Sequence, residues 1–327
     1  MTIIASAPGK LVLSGEYAVL YGAPAIAMAV DCRARVVIEG TAEKHHTIEA
    51  PGYSSARGAF TADNAGFEWL NGEDDYGLLR HVWQEAGVRF DENKAITLDT
   101  SAFLHRESGA KIGIGSSAAL ASALARLLAH EDADATRIAF DAHRRFQGGV
   151  GSGVDVACST SGGLVEYTME NAVTRALRWP EGLHFRVLWV GVPASTRERL
   201  LKLDQQSKLA SSAALVLASR RMAAAWKRGA AQDVLTGYAD YIAVLREFSV
   251  DHDLGIFDAG HAELTEAASK AGIIYKPCGA GGGDAGIALA EDAAAVDEFV
   301  SNAVEQGAHR LDLEIDMNGA RLEREPS

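Results

Sequence analysis

The feature that most constrains this chain is where its glycines lie. Glycine makes up 33 of the 327 residues, about a tenth against a usual ~7%, and the excess is gathered into short runs at residues 113–115, 148–153 and 279–286. The last run has five glycines in eight residues. Glycine in such numbers costs conformational entropy unless the backbone must adopt unusual angles or approach a ligand closely. The runs therefore predict a binding site that several separate parts of the chain build together.

The stretch at residues 113–117 is typical of an anion site at the start of a helix. Leucines recur at helical spacing through Ser116–Ala129, which predicts a helix with one strongly apolar face. Glycines directly before a helix allow backbone N–H groups to point at an anion, and the helix dipole adds a favourable potential. Because Ser117 adds a hydroxyl and Lys111 adds a charge, the sequence predicts a phosphate-binding loop here.

Two familiar nucleotide motifs do not fit this loop. The spacing Gly113-x-Gly115-x-x-Ala118 matches the dinucleotide-binding pattern, but that pattern needs a strand running directly into the turn. The predicted preceding strand ends near Phe103, and a polar stretch follows it. The only Gly-Lys pair, Gly9-Lys10, precedes leucine rather than serine or threonine, so a P-loop is excluded as well.

Apolar periodicity and turn residues outline the remaining elements. We predict strands over residues 2–7, 30–39, 95–103, 184–192 and 287–289, and helices over 78–87, 116–129, 136–146, 198–226, 230–248, 258–272 and 292–306. Residues 40–71 are polar and indicate irregular structure or a hairpin-bearing insertion. A turn signal at residues 179–182, just before an apolar strand, predicts a domain boundary.

Composition limits what the protein binds. Lys and Arg total 31 against 44 Asp and Glu, a formal net charge of −13, which argues against nucleic acid or an anionic membrane surface as a partner. No run of 18 apolar residues and no signal-peptide pattern occurs. The three scattered cysteines, Cys32, Cys158 and Cys278, fit neither a disulfide framework nor a zinc cage. We expect a soluble, cytoplasmic protein.

Three clusters of small residues, taken together, resemble the motifs of a known superfamily. The first covers residues 7–22 and contains Lys10, the second covers 111–119, and the third covers 276–286. Asp155 follows the middle glycine run, between the second and third clusters. In this order and at these separations the clusters resemble the three motifs of the GHMP kinases, and the match covers most of the chain.

The resemblance implies a fold of two parts, α/β plus α+β. An N-terminal domain of ribosomal-protein-S5-like topology would cover residues 1–182, and a C-terminal ferredoxin-like domain would cover residues 183–327. ATP and a small phosphorylated substrate would lie between them, with Mg²⁺ as the cofactor.

The resemblance also implies roles for individual residues. It implies that Lys10 and Asp155 are the catalytic pair and that the hydroxyl of Ser117 is a ligand of the metal. It implies ATP binding by Lys111, Gly113, Ile114, Gly115, Ser116, Ser117 and Ala118. It implies substrate binding by Ser14, Glu16, Tyr17, Gln147, Ser152, Ser195, Thr196, Arg197, Gly279, Ala280, Gly281 and Gly282.

Within the superfamily the chain is most similar to the phosphomevalonate kinases. Mevalonate kinases usually have Gly-Glu-His where this chain has Gly15-Glu16-Tyr17. They also carry a magnesium-binding glutamate eleven residues before the catalytic aspartate, where this chain has Arg144. The resemblance therefore implies ATP-dependent phosphorylation of 5-phosphomevalonate, with metal binding resting more on the nucleotide phosphates than on carboxylates.

Other members of the superfamily are the alternatives. Mevalonate kinase or another small-alcohol kinase is the nearest, and diphosphomevalonate decarboxylase shares the fold but fits Lys10 and the Gly-Glu-Tyr run less well. A regulator that has lost catalysis should show damage at Lys10, Ser117 or Asp155, and all three are intact. Two phosphorylated substrates repel each other, so further cations are expected among Lys111, Arg144, Arg197, Lys202 and Lys208.

Overall fold

A computed structural model describes most of the chain. The described residues are 2–63, 66–73, 75–129, 131–193, 199, 203 and 210–323. They form two β-sheets, each partly covered by helices.

The first sheet has nine strands. These are β1 (Ile3–Ser14), β2 (Ala25–Gly40), β3 (His46–Ala50), β4 (Ser54–Asp63), β5 (Gly66–Asn71), β6 (Lys94–Asp99), β7 (Leu164–Thr168), β8 (Val173–Leu177) and β13 (Arg321–Glu323). Their order is β13-β1-β2-β6-β3-β4-β5, and β7 pairs with β2 and carries β8 beyond it. All pairs are antiparallel except β3 with β6.

Four helices belong to this first half of the chain. They are α1 (Gly77–Ala86), α2 (Ser116–Leu128), α3 (Asp132–Phe146) and α4 (Val154–Ser161). Helix α2 packs against β1 and β2 and contacts the other three helices. Its alanines are buried, which allows its neighbours to approach closely, and the predicted helix is confirmed.

The second sheet is smaller. It contains β9 (His184–Trp189), β10 (Ile274–Pro277), β11 (Ala285–Ala290) and β12 (His309–Leu311), in the antiparallel order β10-β11-β9-β12. Its helices are α5 (Ala210–Arg228), α6 (Ala231–Asp251), α7 (His261–Lys270) and α8 (Ala293–Glu305). Helix α7 packs on β10, and α8 packs on β9 and β11.

The two halves share a continuous apolar core. One cluster of buried side chains includes Leu13 and Ile26 from the first sheet, Ile287 from the second, and Tyr241 from α6. The chain passes from one sheet to the other between β8 and β9, and β13 returns to pair with β1. The division into domains at residue 182 stays a prediction, and the last strand of the chain lies in the first sheet.

The first strand is longer than the sequence predicted. Expected to end at residue 7, β1 continues through Lys10 to Ser14, and its register with β2 shifts between Pro8 and Gly9. Such a shift accommodates a proline, which has no N–H for the ladder. Gly9 is required because a Cβ there would lie 2.8 Å from the carbonyl oxygen of Ile114.

Residues 40–71 contain three strands, β3, β4 and β5, rather than mainly irregular structure. The hairpin expectation is confirmed, because β4 pairs with both neighbours in antiparallel fashion. An aromatic cluster stabilises this region. The rings of Phe60 and Phe67 stack with their centroids 4.4 Å apart, and Trp69 and Trp83 each pack edge-on against Phe60. None of the helices in the described ranges is long and apolar enough to span a bilayer.

Candidate active site

The glycine-rich segments meet at one cavity between the two sheets. Its walls come from the end of β1, the loop before α2, the loop before α4 and the loop between β10 and β11. It is lined by Lys10, Val12, Gly15, Glu16, Tyr17, Val19, Leu20, Lys111, Gly113, Gly115, Ser116, Ser117, Gln147, Gly151, Ser152, Val154, Asp155, Pro193, Gly279, Ala280 and Asp284. Segments far apart in the sequence therefore form one pocket.

Lys10 is held between two of the glycine segments. Its backbone N–H donates to the carbonyl oxygen of Ile114 at 2.8 Å, which ties β1 to the loop before α2. Its aliphatic stem lies against Gly115, where a Cβ would come 2.9 Å from the Lys10 Cε. The Nζ of Lys10 lies close to the third glycine run, because a Cβ on Gly279 would be 3.7 Å from it. The ammonium is thus placed in the middle of the cavity.

Asp155 lies in the first turn of α4. Its Oδ1 accepts a hydrogen bond from the N–H of Val156 at 2.9 Å, and its Oδ2 lies 3.9 Å from Nδ1 of His143. The other ring nitrogen of His143 lies 3.1 Å from the hydroxyl oxygen of Ser117. A buried imidazole therefore connects the aspartate to the serine at the start of α2.

The charges of Lys10 and Asp155 act on the same buried group. Burial raises the pKa of the Cys158 thiol, the charge of Lys10 opposes this rise, and the charge of Asp155 adds to it. Both residues also line the cavity.

The loop before α2 has the backbone geometry of an anion cradle. Gly113 and Gly115 have φ angles of 76° and 87°, in the left-handed region that favours glycine. Gly115 is the N-cap of α2, and Ser116 and Ser117 form its first turn. The first N–H groups of a helix have no partner within the helix, and Gly115, Ser116 and Ser117 line the cavity at the positive end of the helix dipole.

A carboxylate from the second half of the chain packs directly on this loop. A Cβ on Gly113 would lie 2.0 Å from Cγ of Asp284, so only glycine fits. Lys111 sits at the mouth of the same cavity. Partial removal of the Lys111 ammonium from water lowers its pKa. The negative charge of Asp284 opposes this shift, and the positive charge of Lys10 adds to it.

Comparison with known proteins shows the family of this chain. Residues 76–163 match the family model described as the GHMP kinases N terminal domain. Phosphomevalonate kinase of Streptomyces sp. strain CL190 is 30% identical over 90% of this chain and 92% of its own length. This chain belongs to the GHMP kinases.

Further relatives and solved structures extend the match. Mevalonate kinase of Thermococcus onnurineus is 28% identical over 89% of this GHMP kinase and 90% of its own length. The structure of Streptococcus pneumoniae phosphomevalonate kinase in complex with phosphomevalonate and AMPPNP superposes with a TM-score of 0.76, at 17% identity over 95% of this chain and 99% of that one. The Lin0012 protein of Listeria innocua superposes with a TM-score of 0.86, at 21% identity over 99% of both chains. These likenesses show the GHMP kinase fold and a phosphotransferase family.

Not every predicted site residue faces the cavity of this GHMP kinase. Ser14 is fully buried and lies outside the cavity lining, as do Ile114, Ala118, Gly281 and Gly282. Ile114 contributes its backbone carbonyl to Lys10. Ser195, Thr196, Arg197, Lys202 and Lys208 lie outside the described residues.

The two glycines that lie outside the cavity serve close packing. A Cβ on Gly281 would lie 2.5 Å from the carbonyl oxygen of Ile256, and one on Gly282 would lie 1.9 Å from a guanidinium nitrogen of Arg199. Arg199 also donates to the carbonyl oxygens of Leu254 and Gly282, at 3.0 and 3.2 Å. The third glycine run therefore packs against Ile256 and Arg199.

Sequence reasoning did not identify several residues of the site. His143, Lys276, Asp284 and Arg199 became visible only through their long-range contacts. Asp284 and Lys276 flank the third glycine run, and only this position in the sequence indicated that they could belong to the site. Their partners lie in the first half of the chain, and local pattern does not show them.

Proposed function

We propose that this GHMP kinase transfers the γ-phosphoryl group of ATP to the phosphate of 5-phosphomevalonate, giving 5-diphosphomevalonate and ADP. A bond forms between an acceptor phosphate oxygen and the γ-phosphorus, and the bond from that phosphorus to the β–γ bridging oxygen breaks. The observation that carries the proposal is the convergence of Lys10, Asp155 and the loop at residues 113–117 on one cavity.

The pathway follows from the relatives. Both phosphomevalonate kinase and mevalonate kinase align over about nine-tenths of the chain, and the two act in one route. The three cysteines are free and buried, which fits a reducing cytoplasm. We therefore place the reaction in the cytoplasmic mevalonate route to isoprenoids.

Each element of the cavity has a part in phosphoryl transfer. The N–H groups at the start of α2 bind the ATP phosphates, and Lys10 neutralises charge on the phosphoryl group in transit. Asp155 orients Lys10, because a phosphate monoester with a second pKa near ~6 is mostly ionised already and needs little help to lose a proton. The side chains thus supply positioning and charge rather than covalent chemistry.

The donor set fits magnesium bound together with ATP. Mg²⁺ prefers oxygen ligands and is usually held by one or two protein groups plus substrate phosphates. The hydroxyl of Ser117 and the carboxylate of Asp155 are such groups, and no cluster of three or more metal-binding side chains occurs in the part of the chain that the structure describes. The ion would neutralise phosphate charge, and Ser117 would hold it.

Arg144 is the cation best placed for the acceptor phosphate. It lines a second cavity that shares Gln147, Gly151 and Ser152 with the first. Among the described residues its guanidinium has one hydrogen-bond contact, a long one from Nε to the carbonyl oxygen of Gly149 at 3.5 Å. Arg137, the other cation in that cavity, lies 3.6–3.9 Å from carboxylates. Within the described ranges Arg144 has no carboxylate within ion-pair distance, so its charge is available to an anionic ligand.

A substrate panel tests the proposal. Purified protein with ATP and Mg²⁺ is offered mevalonate and 5-phosphomevalonate, and ADP release is followed. We expect turnover of 5-phosphomevalonate, with KM for it raised about tenfold in Arg144→Gln and little changed in the control Arg137→Gln. Faster turnover of mevalonate would overturn the assignment.

Mevalonate kinase is the second candidate, and the alignment with the Thermococcus enzyme favours it. In that case Asp155 would be the general base that takes the alcohol proton. ATP binding without turnover of either acceptor would instead favour a protein that keeps the fold and lacks catalysis.

A further inference from the structure

A buried ion pair joins the two halves of the molecule beside the cavity. The Nζ of Lys276, in β10, lies 2.6 Å from Oε1 of Glu16, in the loop after β1. Their side chains are 0% and 3% exposed. The other carboxylate oxygen, Oε2, accepts a hydrogen bond from the hydroxyl of Tyr241 in α6 at 2.8 Å. Both oxygens of Glu16 are therefore engaged by residues from the second half of the chain.

The same loop is attached at two further points. The hydroxyl of Tyr241 accepts a hydrogen bond from the N–H of Gly15 at 2.8 Å. The hydroxyl of Tyr17, which has a left-handed φ of 60°, donates to the carbonyl oxygen of Ala280 at 2.7 Å. Residues 15–17 thus contact α6, β10 and the third glycine run, and a non-glycine residue in a strained conformation is held among them.

These contacts involve the two segments that position Lys10, the proposed catalytic lysine. Lys10 and Glu16 belong to the same segment, β1 and the loop that follows it. Gly279, three residues after Lys276, packs next to the Lys10 ammonium. The contact between Glu16 and Lys276 therefore joins the segment that carries Lys10 to the segment that carries Gly279.

A pair buried this deeply does not stabilise a fold efficiently. Removing two charged groups from water costs about as much as their attraction returns, and apolar residues of similar volume often replace such a pair without loss. Specification of a unique geometry is a better-supported reason for a buried pair of this kind, as in the helical assemblies where a buried polar group sets the register.

We infer that Glu16 and Lys276 are positioning residues, which set the third glycine run over Lys10 and thereby support phosphoryl transfer rather than stability. The inference rests on the proposed phosphotransfer function, and it holds for whichever acceptor the enzyme uses. Glu16, predicted from the sequence to bind substrate, then acts through Lys276 and the glycine run.

The variant Glu16→Gln/Lys276→Met tests the inference, because it removes both charges while keeping side-chain length and the partner of Tyr241. We expect Tm within about 3 °C of the wild type and kcat lower by about tenfold or more, with KM for ATP changed by less than about threefold. Amide hydrogen exchange at residues 279–283 should be faster than in the wild type at equal global stability.

A second ion pair provides the matched control. Lys227 of α5 lies 2.9 Å from Glu166 of β7 and also joins the two halves, but neither residue lines the cavity. We expect Lys227→Met to lower Tm while kcat stays within about twofold of the wild type. If the double variant at 16 and 276 also keeps kcat within about twofold and leaves exchange at 279–283 unchanged, the inference is wrong.

A second variant and a measurement that needs no acceptor cover the two cases in which the double variant alone would not be informative. If the double variant does not fold, Glu16→Asp retains the charge and shortens the contact by one methylene, so a loss of kcat at wild-type Tm supports positioning and wild-type kcat contradicts it. If the wild type phosphorylates neither mevalonate nor 5-phosphomevalonate, the proposed function fails, and the exchange rates at 279–283, which need no acceptor, still decide the inference.

Discussion

At the scale of single residues, the division of roles between Lys10 and Asp155 depends on the acceptor. An alcohol must lose its proton as it attacks, so an alcohol kinase depends on a base. A phosphate monoester, with a second pKa near ~6, is largely ionised at neutral pH. Charge neutralisation by Lys10 should then matter more than proton removal by Asp155.

Substitution of the pair separates the two cases. With 5-phosphomevalonate as acceptor, Lys10→Met should lower kcat by about a thousandfold, and Asp155→Asn by about tenfold to a hundredfold. The measurement is steady-state ADP release at saturating ATP and acceptor. A far larger defect in the aspartate variant would show that Asp155 is a base, and would contradict a phosphate acceptor.

His143 is expected to set the positions of two residues that line the cavity. Its ring lies between the hydroxyl of Ser117 and the carboxylate of Asp155, and it is 1% exposed. His143→Phe keeps a ring of similar shape and removes both nitrogens, so kcat should fall by about tenfold. Because the imidazole acts through Ser117, the losses in His143→Phe and Ser117→Ala should not add in the double variant. Fully additive losses would mean that the contact has no role in turnover.

At the scale of elements, local pattern predicted α2 and failed on β1. The periodic leucines and the preceding glycines placed α2 at residues 116–129, and it occupies 116–128. Pro8 and Gly9 interrupt a strand pattern locally, yet β1 continues because β2 pairs on both sides of the register shift and the loop before α2 fills the space at Gly9. Tertiary contacts decide such an element, and propensity does not.

The loop before α2 provides a test with a matched control. Gly113 and Gly148 have φ angles of 76° and 78°, so alanine costs about 1 kcal/mol of backbone strain at either position. A Cβ at Gly113 would collide with Asp284, whereas nothing lies within 4 Å of one at Gly148. Gly113→Ala should lower kcat/KM for ATP by about a hundredfold, and Gly148→Ala by less than about threefold. Equal effects at the two sites would show that contact with Asp284 is unimportant.

At the scale of the whole molecule, the sequence predicted which segments meet but not how they are held. The three motifs placed Lys10, Ser117 and Asp155 on one cavity, and the structure brings all three to it. The contacts from His143 to Ser117 and from Lys276 to Glu16 were not predictable, because each depends on the relative positions of elements far apart in the chain. The motifs are local patterns, and the contacts that support them are not.

Two buried histidines make the stability of the fold depend on pH. Burial lowers the pKa of His46 to about 4, with the charges of Lys94 and His45 adding to the shift. Burial likewise lowers the pKa of His261 to about 4; the carbonyl of Gly283 opposes this shift, and nearby cations add to it. Between pH 6.5 and 4 the unfolded chain binds more protons than the folded one, so the free energy of unfolding falls as the pH is lowered.

His261→Gln removes one of these groups. Each histidine contributes at most about 1.4 kcal/mol per pH unit inside that window, so the variant should lose stability less steeply than the wild type between pH 6.5 and 4.5. Denaturant unfolding at several pH values measures the slope. Parallel curves for the two proteins would contradict an uncharged His261 in the folded state.

The proposed function requires that the cavity accept a phosphate rather than an alcohol. A competition assay measures this directly: equimolar isotopically labelled mevalonate and unlabelled 5-phosphomevalonate, Mg²⁺ and the wild-type protein, with ATP far below both acceptors and the labelled and unlabelled products quantified by mass spectrometry. The product ratio is the ratio of the two kcat/KM values. We predict unlabelled diphosphomevalonate in at least about a hundredfold excess over labelled phosphorylated products. An excess of labelled phosphorylated products would contradict the assignment.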